Sequence, residues 1–248
     1  MRHKSVMEQP SDHISPFPPR PVRRPVMFQR WRLLTFLHWR YEPERIRSLL
    51  PRQVTLDTFD GAAWVGLTPF LLTGLRPPFF PALPWMSKFP ETNVRTYVRG
   101  PDGERGIWFF TLEAQRLPAV IGARLLYRLP YRWAQMSVRF NGGRVEYNSA
   151  RKWPGERAQT DIAIQPGNPM RPDDFDNFLT ARFRLYTMAG KRLALAQIEH
   201  EPWPLHHAQV LHVKQNVIDK SGVPRPAGEP IVHYSPDLIV RIGRLQIA

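Results

Sequence analysis

Residues 134–148 read AQMSVRFNGGRVEYN. Two strand-like arms, AQMSVRF (134–140) and GRVEYN (143–148), meet at Asn141-Gly142-Gly143. Paired glycines after Asn supply the positive φ that a tight hairpin turn needs, so the stretch predicts two antiparallel strands. Ala189-Gly190 marks a second hairpin, between RFRLYTM (182–188) and RLALAQIE (192–199). Outward from these, further strand candidates are punctuated by Gly and Pro: WRLLTFLHW (31–39), AAWVGLTPF (62–70), TNVRTYV (92–98), GIWFFTLEA (106–114), QVLHVKQNV (209–217) and LIVRIGRLQI (238–247). In the first, alternation puts Trp31, Leu33, Thr35, Leu37 and Trp39 on one side. Three segments read as helices. PERIRSLL (43–50) has Pro43 at a first helical position, AVIGARLLY (119–127) has helical composition, and DDFDNFLTA (173–181) opens with acids. Short strands without regular β–α alternation predict a mainly β or α+β chain, with an antiparallel sheet or barrel and a few short helices.

The 248 residues are 42 % apolar and 12 % aromatic, which leaves ample material for a core and excludes wholesale disorder. Residues 1–26 differ: six prolines lie between Pro10 and Pro25, and the segment reads as a disordered basic leader before a single domain over 27–248. Cysteine is absent, so there is no disulfide framework, thiolate nucleophile or Cys-based metal site. Apolar runs such as LAL (193–195) fall far short of a membrane span, and the N-terminus has no apolar core of a secretory signal. The expectation is a cytoplasmic protein with no membrane partner. Net charge is +14, from 29 Arg and 6 Lys against 21 acids. The arginines are dispersed from Arg2 to Arg244 in no run longer than two, which argues against nucleic acid as the partner.

Seven stretches carry a resemblance in the same order throughout: LHWRYEPERIRSLLP (37–51), LDTFDGAAWVGLTPF (56–70), FPETNVRTYV (89–98), IWFFTLEA (107–114), ARLLYRLPYRWAQM (123–136), FLTARFRLYT (178–187) and HEPWPLHHAQV (200–210). The chain resembles the uncharacterised YqjF-like bacterial family from about Trp31 to the C-terminus, and that family resembles the acetoacetate-decarboxylase-like superfamily. The resemblance implies a closed or cone-shaped antiparallel β-barrel with an internal ligand cavity. It also implies a place for the decarboxylase's Schiff-base lysine pair, and there this chain has Tyr131-Arg132. Neither a phenol nor a guanidinium forms an imine. None of the lysines offers a substitute: Lys4 is in the leader, Lys88 and Lys191 flank turns, Lys152 and Lys220 sit in polar loops, and Lys214 lies on a polar strand face. Ala181 and Phe183 likewise stand where relatives commonly carry a carboxylate and a phenol.

Within PETNVRTYV, alternation puts Glu91, Asn93, Arg95 and Tyr97 on one strand face. Glu91 and Arg95 are then about 13 Å apart, so each needs its own partner or a ligand. Arg124 and Tyr127 share a helix face near Tyr131, and Arg184 and Tyr186 share a strand face. Glu91, Tyr97 and Tyr131 are candidate catalytic groups. Asn93, Arg95, Arg124, Tyr127, Arg184 and Tyr186 are candidate ligand contacts. The bland alternatives are a solvated strand face and Arg–Tyr packing pairs. His200, His206, His207 and His212, with Glu199 and Glu201, suggest zinc by composition, but Pro202 and Pro204 break the helix such a site would need. No metal or other cofactor is expected. The partner expected is a small carboxylate or keto acid, and a homo-oligomer is left open. Whether the cavity belongs to a lyase or isomerase without a Schiff base, or to a non-catalytic sensor or carrier, depends on whether a titratable carboxylate–phenol pair is buried with an arginine.

Overall fold

The computed structural model describes residues 14–248. Thirteen strands follow one another: β1 (Met27–Tyr41), β2 (Thr55–Leu56), β3 (Ala63–Arg76), β4 (Phe89–Arg99), β5 (Arg105–Ala114), β6 (Tyr131–Asn141), β7 (Arg144–Trp153), β8 (Gln159–Pro169), β9 (Arg184–Ala189), β10 (Arg192–His200), β11 (His206–Gln215), β12 (Ile231–Ile242) and β13 (Gln246–Ile247). Three short α-helices interrupt them: α1 (Pro43–Arg47), α2 (Leu117–Leu126) and α3 (Asp174–Thr180). Pro43 does open α1, and Asp173 caps α3 reciprocally with Asp176. The 134–148 hairpin forms as expected: Asn141 pairs with Arg144, and Gly142 and Gly143 adopt φ of 57° and 77°.

Strands β4, β3, β1, β12, β11, β8, β7, β6 and β5 close a nine-strand mixed barrel. The ends of β5 and β12 diverge and create a second ring. One end of β5 pairs with β6 through Leu112–Ala114, and the other with β9 through Ile107 and Trp108. Likewise β12 pairs with β11 at His233 and Tyr234, and with β10 from Val240 to Ile242. Strands β12, β1, β3, β4 and β5 are therefore a septum between the nine-strand ring and a seven-strand ring completed by β9 and β10. Both faces of the septum are buried, and β4 is buried at every position up to Val98. One face carries Phe36, Phe70, Leu72, Phe89 and Leu112; the other carries Leu37, Trp39, Val65, Leu67 and Val94.

Four details depart from the sequence reading. The two pairings of β5 with β6 and β9 are parallel, because α2 carries the chain across between β5 and β6, so the sheet is mixed rather than wholly antiparallel. Leu33 has φ of 48° at a register shift in β1, so Trp31 joins the first core face while Leu33, Leu37 and Trp39 join the second. The strand expected at 143–148 extends to Trp153, which places Lys152 on β7 rather than in a loop. The proposed leader lies outside the described residues as far as residue 13. Beyond that, Ile14 and Val22 are buried, and the Val22 amide donates to Glu199 Oε2 at 2.6 Å. The segment 14–26 thus packs against the barrel. Its few apolar side chains find grooves that composition alone does not reveal.

Candidate functional site

The seven-strand ring encloses a cavity of about 200 Å³, to which every strand of the ring contributes and over which α2 lies. Its wall is mainly apolar, with Trp31, Leu34, Phe70, Leu72 and Phe109 among its residues. The polar exceptions come largely from β4. Glu91, Asn93 and Arg95 line the cavity from one strand face, and Thr68, the register partner of Asn93 on β3, lies beside them.

Glu91 is buried and accepts a hydrogen bond from the Tyr131 hydroxyl through Oε2 at 3.1 Å. Burial raises its carboxyl to about 8, an effect only partly opposed by the Tyr131 bond. Tyr131 is pushed well above the usual phenol range by burial and then by Glu91. Near neutral pH this is a protonated carboxyl beside a neutral phenol. Arg95 is buried as well. Its guanidinium lies 5.0 Å from the Phe36 ring centroid, and Nε and Nη2 have no hydrogen-bond partner. Asn93 Oδ1 and Thr68 Oγ1 are also unpartnered. Buried polar groups usually find partners, so a donor pair and two further polar atoms left unpartnered on residues that line one cavity mark a place for a ligand.

Tyr97, the fourth group of the row, is not part of the cavity wall. Its hydroxyl donates to the Leu179 carbonyl at 2.5 Å and lies 2.6 Å from His38 Nε2. With the phenol proton committed to Leu179, His38 serves as the donor. Burial, then Arg95, holds His38 well below the ordinary imidazole range. Gly66 makes room for this ring: a Cβ there would meet His38 Nε2 at 2.9 Å.

The other anticipated residues separate. Tyr127 lines the cavity, but its hydroxyl donates to the Gly243 carbonyl. Arg124 does not line it; it donates to the Tyr131 carbonyl at 2.7 Å and lies over Trp153. Arg184 and Tyr186 do share a face of β9, but the neighbouring Leu185 takes the cavity side. Arg184 pairs with Asp102, and Tyr186 donates to the Glu104 carbonyl. Arg132 alternates away from the cavity with Tyr131 and is lowered by burial, then by Arg151 and Arg124. Phe183 packs on His200, with ring centroids 4.8 Å apart. His200 Nδ1 is bonded to the Glu201 carbonyl, His206 Nδ1 to the Gly167 carbonyl, and His212 Nε2 to Asp161, so the histidines do not converge. Among the described residues no group of three His, Cys, Asp or Glu could hold a metal ion. The described lysines, Lys88, Lys152, Lys191, Lys214 and Lys220, are all exposed.

Thr68 and His38 belong to this environment although the sequence reading passed over both. Period-two alternation in AAWVGLTPF does put Gly66, Thr68 and Phe70 on one face, so Thr68 was open to detection. His38 was not, because the register shift after Arg32 in β1 moves it, with Phe36, to the side of Trp31.

The two barrel rings that share a septum make an acetoacetate-decarboxylase-like fold. Solved structures agree on that fold. The enduracididine biosynthesis enzyme MppR complexed with pyruvate matches with a TM-score of 0.62 at 12 % identity, covering 90 % of each chain. An acetoacetate decarboxylase from Legionella pneumophila matches with a TM-score of 0.57 at 12 % identity over 99 % of this chain and 98 % of that one. An acetoacetate decarboxylase-like enzyme from Sphingomonas wittichii RW1 gives 0.61 at 13 % identity, over 92 % and 94 %. The chain itself belongs to the DUF2071 family of uncharacterized conserved proteins, whose pattern matches residues 28–238. It is 38 % identical over 213 residues to the uncharacterized protein YqjF of Bacillus subtilis (strain 168), covering 85 % of this chain and 87 % of that one.

Proposed function

We propose that the seven-strand ring binds a small organic acid, a carboxylate or keto acid with an apolar body, and that Glu91 and Tyr131 move a proton on it without an imine. The observation that carries this reading is the buried Glu91–Tyr131 pair in a cavity that also holds the unpartnered Arg95 donors. A ligand carboxylate accepts two parallel bonds from Nε and Nη2 of a guanidinium. The apolar wall then takes the body of the molecule, and about seven water-sized groups fill 200 Å³. A carboxyl poised at about 8 suits proton transfer near neutrality, because it can give a proton and, once ionised, take one back. Tyr131 supplies a neutral donor to an oxygen on which charge develops. The chemistry fits an isomerase or lyase step beside a carbonyl. An MppR structure with pyruvate supports the reading insofar as a barrel of this fold holds a keto acid.

A carrier or sensor is the second reading, favoured by the predominance of apolar wall over polar groups. One experiment separates them. Keto acids, from pyruvate to phenylpyruvate, are screened by thermal shift, and those that stabilise are incubated in deuterium oxide and followed by proton NMR. The enzyme reading expects deuterium at the carbon beside the carbonyl with wild type and none above background with Glu91→Gln. Stabilisation without exchange selects the carrier. No stabilisation by any acid contradicts both.

A further inference from the structure

The cavity lies beside an apolar surface that the fold leaves uncovered. The β3–β4 connection, PPFFPALPWMSK (77–88), exposes Phe79, Phe80, Leu83 and Trp85; Phe79 is fully exposed at a φ of 66°. Helix α2 exposes Ile121, Leu125 and Leu126. Both belong to the same mouth. Leu75 and Phe89, at the two ends of the connection, line the cavity, and so does Leu126, which is 68 % exposed. Arg116, which precedes α2, lies 5.7 Å over the Trp85 ring. Patches of this kind on a protein surface mark an interaction site rather than ordinary scatter.

Charge selects the occupant. No Asp or Glu occurs from Gly61 to Pro90 or from Ala114 to Val145, whereas Arg76, Lys88, Arg116 and Arg128 flank the apolar groups. A two-fold contact with a second copy would bring these cations against their own counterparts. An anionic surface that also accepts aromatic side chains satisfies both features, and tryptophan in particular favours the boundary between water and lipid. We propose that this face docks on an anionic lipid bilayer, with Phe79, Phe80, Leu83 and Trp85 entering the headgroup region and the cavity mouth turned toward the lipid. That no helix among the described residues is long and apolar enough to cross a membrane bears on spanning and leaves surface docking untouched. Docking stands on the outer surface alone and does not depend on what the cavity holds.

Full-length protein is sedimented with phosphatidylcholine vesicles and with vesicles of mixed phosphatidylcholine and phosphatidylglycerol, at low and high salt. Binding is expected to the mixed vesicles, weakened by salt. Phe79→Ser with Phe80→Ser should weaken it about tenfold or more, because two apolar side chains no longer enter the interface. The double variant should keep the wild-type melting temperature, since both rings are exposed. Trp85→Phe should remove a blue shift of tryptophan emission seen with mixed vesicles. Binding to neither vesicle, equal binding to both, or a double variant that binds like wild type would each overturn the proposal. So would dimerisation that the double variant abolishes, which would show a second copy on this face.

Discussion

Tyr131 and Glu91 are forty residues apart in sequence, yet the phenol donates to the carboxyl at 3.1 Å inside the barrel. Strand β5 brings them together: Glu91 pairs with its Ala114, and Tyr131 with its Leu112. The phenol thus acquires a carboxyl partner across β5.

Burial lifts Glu91 from 4.5 to about 8, so the folded protein keeps a proton that the unfolded chain releases above 4.5. The stabilisation from this group is complete below 4.5 and is lost as pH rises through about 8. Glu91→Gln cannot ionise. Urea unfolding at pH 5, 7 and 9 should show wild type losing on the order of 4 kcal/mol more than the variant across that range.

The acid limb has the opposite sign. Burial lowers His200 to about 4 and holds His38 well below 6.5, so the unfolded chain takes up protons first. Their contribution is present above 6.5 and is lost as pH falls, for His200 through about 4. His200→Gln should flatten the stability curve between pH 6.5 and 4 relative to wild type, read by chemical denaturation.

In the nine-strand ring Arg151 donates through Nη2 to Glu113 Oε1 at 2.5 Å, with both side chains almost wholly buried. Glu113→Gln leaves that guanidinium without a counter-charge and should cost about 3–5 kcal/mol. Glu113→Gln combined with Arg151→Met should recover part of the loss. A double variant destabilised by the sum of the two single variants' losses would show that the pair is not coupled.

The hairpin at 134–148 was legible because Asn141-Gly142-Gly143 encodes its turn locally, and the common face of Glu91, Asn93 and Arg95 because alternation survives along β4. Strand β8 was not legible. Pro166, Gly167 and Pro169 break its pattern, and these residues sit where its register with β11 shifts. The union of Glu91 with Tyr131 was hidden as well, since it depends on a parallel pairing made after the α2 crossover. Arg184 and Tyr186 show the converse limit: alternation gives which residues share a face, but not which face meets the cavity.

Borohydride reduction in the presence of pyruvate or acetoacetate should leave the intact mass unchanged. Imine formation needs a neutral, desolvated amine, and every described lysine is exposed. A covalent adduct at any lysine would contradict imine-free chemistry.

The proposed seat of an organic acid in the seven-strand ring puts its carboxylate on Arg95. Electron density from crystals soaked in the keto acid that stabilises the protein most tests it directly. A carboxylate is expected within hydrogen-bond distance of Arg95 Nε and Nη2, with the body of the acid against the apolar wall and the carbon to be deprotonated facing Glu91. Density for the carboxylate on any other group of the molecule, with the Arg95 donors still unpartnered, would contradict it.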